Sequence, residues 1–196
     1  MRQLTVLGLV LLLGFPAKAE KMVFEMSVWG IKFGEMVVTR TIENDSTEIY
    51  NVHAKGKTDF LWMQREEESK HEVRYVNGKL VSSDYVYLNK GEIEKWAKVN
   101  REGNKYRITS HEGTEMLEEP VDFSMVKLYF NPTFDKHRVF CEEDCSFSHV
   151  TPDAEAQTIK IRCEDGNRST YHIEEGKITE LEIHLAVATV KLKRIK

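Results

Sequence analysis

Cys141, Cys145, His149, Cys163 and His172 bring thiols and imidazoles into one stretch of the sequence. Such soft donors hold zinc or copper. Their spacing contains neither a paired C-x-x-C nor an H-x-x-x-H, so a metal-binding protein built on the Cys141–His172 region is an alternative and not the leading expectation. Redox chemistry is open to the same residues. Three cysteines allow one bridge and leave one thiol over. Cys141 and Cys145 flank the polar loop Glu142-Glu143-Asp144, which can bend far enough to join them. That disulfide is favoured over a bridge to Cys163, which continues the inward face of Ile159 and Ile161 as a buried thiol would.

Nucleophilic chemistry has weaker support. Ser124-Met125-Val126-Lys127 matches S-x-x-K, in which a lysine one helical turn on activates the serine. The companion motifs S-D-N and K-T-G are missing. The expectation is therefore a helix start capped by Asp122 or Ser124, with Lys127 in solvent. Seven histidines are scattered singly, and none forms H-E-x-x-H. G-x-S-x-G, a P-loop and G-x-G-x-x-G are all absent. No catalytic residue, metal ligand or cofactor is assigned from these patterns.

Aromatic residues are the remaining candidates. Trp29, Phe60, Trp62, Tyr85, Tyr87, Trp96, Tyr129 and Phe130 are more than one buried face of a plain sheet requires, and the first six are the binding candidates. They would line a groove for an apolar or amphipathic ligand such as a lipid. The competing reading is that a rolled sheet buries parts of both faces, since aromatics more often build cores.

The elements that must hold these residues are strands. Phe24, Met26 and Val28 share a face. Tyr50, Val52 and Ala54 alternate with Asn51 and His53, and Leu181, Ile183, Leu185 and Val187 with Glu182 and His184. Period-two alternation places successive side chains on opposite faces. Asn77-Gly78, Asn89-Lys90-Gly91, Glu102-Gly103-Asn104 and Glu175-Gly176 punctuate the runs as tight turns of an antiparallel meander. Phe123, Val126 and Phe130 break the rhythm and predict a short helix over 123–130, stopped by Asn131-Pro132. Consecutive Phe60-Leu61-Trp62-Met63 fits a strand or a helical turn equally well. Arg65 to Lys70 reads as a solvated charge run. Val190 to Lys196 reads as a final edge strand guarded by lysines.

The chain opens with Arg2, a short apolar run from Leu4 to Phe15, and small residues at Ala17 and Ala19. That is a signal peptide, residues 1–19, cut after Ala19. The run is too short to span a bilayer, and no second one is longer. A single domain over 20–196 is expected, with no transmembrane anchor, in the periplasm or secreted. The cut removes Arg2 and Lys18 and leaves 26 basic against 32 acidic side chains, a net charge of −6. Nucleic acid is excluded as a partner, because phosphate binding needs a concentrated basic surface.

Val28 to Glu35, Phe123 to Pro132, Val139-Phe140-Cys141-Glu142, Asp165-Gly166-Asn167, Tyr171 and Glu175-Gly176-Lys177 together resemble a family of exported Gram-negative proteins known only as a domain of unknown function. The resemblance covers nearly all of the mature chain. It implies a spiral β-roll and a compartment outside the cytoplasm, and it supplies no catalytic residues. The cysteines at 141 and 145 are additions to its pattern.

The expected fold is mostly β: a curled antiparallel sheet, as a spiral β-roll or half-barrel, with one short helix plugging an open side. The expected function is a periplasmic protein that binds an apolar or amphipathic ligand or supports envelope maintenance. A structural or interaction protein without a small ligand, acting on an envelope partner, is the second expectation.

Overall fold

The computed structural model describes residues 18–60, 63–163 and 166–196, with backbone alone at 59–60 and 63–64. The expected leader lies outside the described residues except for Lys18 and Ala19, which open the first strand. Eight strands come first: β1 (Lys18–Val28), β2 (Ile31–Asn44), β3 (Thr47–Phe60), β4 (Met63–Val76), β5 (Lys79–Asn89), β6 (Glu92–Glu102), β7 (Lys105–Ser110) and β8 (Gly113–Leu117). One helical turn follows, α1 (Met125–Leu128). The chain then runs through β9 (Arg138–Cys141), β10 (Ser146–Asp153), β11 (Thr158–Arg162), β12 (Arg168–Glu174), β13 (Lys177–His184) and β14 (Thr189–Arg194).

All fourteen strands form one antiparallel sheet. Its order is β8-β7-β6-β5-β4-β3-β2-β1-β14-β13-β12-β11-β10-β9, so it is open, with β8 and β9 at its edges. Tight turns set the meander. At Asn77-Gly78 both central residues have positive φ, 52° and 74°, the backbone of a type I′ hairpin.

The last strand is not an edge. β14 lies between β1 and β13, with Met26 opposite Leu192 on one side and Leu181 opposite Leu192 on the other. The lysine-guard expectation is overturned: the backbone of β14 is paired on both sides. Its lysines face outward instead, and Lys191 Nζ lies 3.5 Å from Glu180.

One buried apolar cluster draws residues from both halves of the sheet, from Phe24, Tyr50 and Tyr75 to Tyr106, Phe140, Tyr171 and Leu192. A single face can meet itself this way only if the sheet curls, as the expected fold has it. Packing is close at Gly34 and Gly56, directly opposite each other on β2 and β3. A Cβ at Gly34 would lie 2.3 Å from the Lys55 carbonyl oxygen.

The connection from β8 to β9 crosses the inside of the roll. Leu80 donates its N–H to Val121 O, and Phe140 donates to Phe123 O. Helix α1 sits in this crossing and is shorter than the expected 123–130, because Ser124 is already held in an isolated parallel bridge with Phe140. Lys127 is not solvated as expected. It is buried, with its ammonium 3.7 Å from the Tyr75 ring centroid and 3.7 Å from Glu48 Oε2, and it donates to Asp122 O at 3.2 Å. Burial holds its pKa below the usual lysine value, against the pull of Glu48.

Candidate functional site

Packing inside the roll is incomplete. A cavity of about 250 Å³ lies between the inner face and α1. Its apolar walls include Met26, Met36, Val52, Ala54, Leu181 and Leu192, with Tyr129 and Tyr171 across it. Alternation explains the wall: each of these strand residues points inward while its neighbours point out. The space is partly open to solvent and is not a sealed void. It exceeds the ~150 Å³ apolar cavity that stays dry and takes benzene. It falls below the ~300–1,000 Å³ of drug-sized pockets.

One end of the cavity is polar. His71, Cys141, Glu142, Asp144 and Cys163 reach it. The His71 ring packs on Tyr85 at 4.5 Å between centroids, and its Nδ1 is shut off from solvent with no hydrogen-bond partner. Burial pushes its pKa down to about 4, so the imidazole is neutral. Glu142 is almost fully buried and accepts from Val126 N–H at 3.4 Å. Burial pushes its carboxyl up to about 7, against the hydrogen bond from Ser124.

The Cys141 thiol donates to Asp144 Oδ2 at 3.5 Å. Cys141 Sγ, Cys163 Sγ and a carboxylate oxygen of Asp144 all lie within 4.8 Å of one another. The hydrogen bond to Cys163, then burial, raises the Cys141 pKa well above the usual thiol range. Cys145 takes another direction: its thiol donates to Glu142 O at 3.6 Å, and burial pushes its pKa up to about 12. No disulfide joins cysteines among the described residues. The favoured Cys141–Cys145 pair is thus not the one gathered here. Cys145 sits at positive φ in the β9–β10 turn, and its thiol is hydrogen-bonded to the Glu142 carbonyl instead.

The wider Cys141–His172 ligand set is also divided. His149 is exposed on β10, and His172 stands on the outer face of β12, flanked by the inward Tyr171 and Ile173. His172 meets Glu182 at 3.9 Å in a surface cluster with Glu180, where Lys191 pairs with both carboxylates.

The four aromatics whose side chains are described do not converge. Tyr85 and Tyr87 face inward on β5. Trp96 faces outward on β6, opposite Val86. Trp29 occupies the β1–β2 turn at φ 50° and is 69% exposed. Phe60 ends β3 with its side chain outside the description, and Trp62 lies outside the described residues. Trp96, Val86 and Ile93 floor a separate outer groove of about 760 Å³ between the charged Lys70, Glu72, Asp84 and Lys98. Sequence reasoning missed the methionines and Ala54 as cavity wall. Only their inward parity was available, and parity does not separate a filled core from a hollow one.

Ser124 is fully buried and accepts from Tyr75 OH at 2.6 Å, while Lys127 turns to Glu48 and Asp122. That arrangement is structural and not that of an acyl-enzyme.

Residues 24–195 match the family described as a domain of unknown function, DUF6134. No curated protein matches the chain significantly. The fold is similar to the crystal structure of a β-barrel-like protein of the domain of unknown function DUF1849 from Brucella abortus. That likeness has a TM-score of 0.61 at 14% identity and covers 90% of this chain and 95% of the other.

Proposed function

This chain belongs to the DUF6134 family, a domain of unknown function, and we propose that it is an exported binding protein for an apolar or amphipathic ligand. The observation that carries the reading is the unfilled, largely apolar cavity inside the roll. Its volume suits one short acyl or aryl segment and excludes a whole lipid, so an amphiphile would insert its tail and leave its head at the polar end. The leader at residues 1–19 supports export, and a mature chain starting at Glu20 loses only two residues of β1. Among the described residues, no helix is long and apolar enough to cross a membrane.

The test is native mass spectrometry of protein purified from the exported fraction, with an organic extract of the same sample. A bound mass that extracts as an amphiphile, and that falls in Ala54→Leu, supports the reading. A bare polypeptide mass in both proteins overturns it.

The outer groove favours a second reading, docking of an envelope partner. Ile93 is 62% exposed beside Trp96. Such a patch is a candidate contact surface. Ile93→Glu would then abolish partner capture and leave cavity occupancy unchanged.

A further inference from the structure

We propose that Cys141, Asp144 and Cys163 form a zinc site at the polar end of the cavity. Two sulfurs and one carboxylate oxygen within 4.8 Å of one another are what three corners of a small tetrahedron require. Zinc lies about 2.3 Å from thiolate sulfur and about 2.0–2.2 Å from carboxylate oxygen, which puts sulfur and oxygen ligands roughly 3.6 Å apart. Cys141 Sγ and Asp144 Oδ2 stand at 3.5 Å.

Three different parts of the fold supply the ligands. Cys141 ends β9, Asp144 lies in the turn to β10, and Cys163 follows β11. The ligand backbone is held in place: Cys163 donates its N–H to Asn167 O and accepts at its own carbonyl from Gly166 N–H. Asp144 is oriented from behind by Lys95, whose Nζ lies 2.8 Å from Oδ1 and which also meets Glu143 at 3.5 Å on the solvent side. That support leaves Oδ2 for the ion and resembles the outer partners that fix metal ligands elsewhere.

Charge selects the ion. Zn²⁺ offsets both thiolates, while Lys95 offsets Asp144 and is shared with Glu143, whereas Cu⁺ would leave the part-buried site one charge more negative. A hard carboxylate beside the thiolates also favours zinc over Cu⁺. On binding, the two thiol protons pass to water and no redox change occurs. All three ligands line the cavity, so a fourth position open to it would give the arrangement of zinc sites that exchange a water or ligand. His71, with its unpartnered Nδ1, lines the same space.

This site does not depend on the apolar-ligand reading, and its test is separate. Zinc chloride is titrated into the reduced full-length protein under nitrogen, and Co²⁺ is then substituted. We expect one zinc per chain and, with cobalt, a thiolate charge-transfer band with tetrahedral d–d bands. Cys141→Ser and Cys163→Ser should each weaken zinc binding by roughly 100-fold or more and remove or halve the charge-transfer band. Cys145→Ser should leave both unchanged. If the cysteine variants fail to fold, Asp144→Asn carries the test: weaker zinc binding with the charge-transfer band retained. Absence of zinc uptake, equal uptake by Cys163→Ser, or a Cys141–Cys163 disulfide in protein isolated without reductant would overturn the proposal.

Discussion

His71 provides a pH-dependent test of the interior. Its folded pKa is about 4 against an ordinary 6.5, and burial is the cause. Between those values the unfolded chain binds a proton that the folded chain does not. Stability therefore falls as pH drops through 6.5 and stops falling near 4. At about 1.4 kcal/mol per pH unit the full loss is roughly 3 kcal/mol. Part of the ring still meets solvent, which trims the expectation to about 2–3 kcal/mol. His71→Phe keeps a ring against Tyr85 and removes the titration. Glu142 acts oppositely over an overlapping window: its raised pKa makes the protein more stable as pH falls from about 7 to 4.5. The wild-type curve alone would hide both effects, so the quantity to measure is the difference between wild type and His71→Phe. Urea unfolding at pH 7.5, 6, 5 and 4, followed by tryptophan fluorescence, gives that difference by linear extrapolation. It should shift by about 2–3 kcal/mol in favour of the variant between the first and last pH. A difference that stays constant with pH would refute the burial argument for His71.

Gly34→Ala should lower the urea midpoint by the equivalent of about 1–3 kcal/mol, because the added Cβ meets a backbone oxygen that cannot yield. Gly56→Ala should cost less, since its Cβ meets the Phe33 ring, a side chain that can move. Tyr75→Phe should cost about 1–3 kcal/mol in the same assay by taking from buried Ser124 its donor. Arg138→Ala, which breaks an exposed pair with Glu119, should change stability by less than about 1 kcal/mol.

The sheet was legible because inward residues keep parity along most strands, and parity breaks where bulges shift the register, as between Leu80 and Ser83, or where β9 buries Val139, Phe140 and Cys141 in a row. Tyr50, Val52, Ile159, Ile161, Leu181 and Ile183 all face the interior as alternation required. Turn residues placed the hairpins for the same local reason. Strand order was less accessible. The lysines near 191 and 193 look the same on an edge strand as on the solvent face of a central one, and only long-range pairing tells them apart. Lys127 misled because a helical position after a polar cap usually meets water, whereas here the helix lies inside a roll. The candidate site was half visible. Cys141 and Cys163 could be singled out as thiols, but Asp144 is one acid among 32 until the turn from β9 places its carboxylate beside Cys141.

The pairing of β1 with β14 has a kinetic side. Residues 18–117 form one run of hairpins and residues 138–196 another, each built from local contacts. The two runs join along a seam between the first strand and the last, where Phe24 meets Arg194. Loop closure over that span is the most non-local event in the chain, and such events slow folding. The interior cannot shut until the final residues are available. Without that seam the two runs of hairpins are two open half-sheets, each with its apolar face uncovered. Its last strand acts as a zip whose arrival creates the inside of the roll.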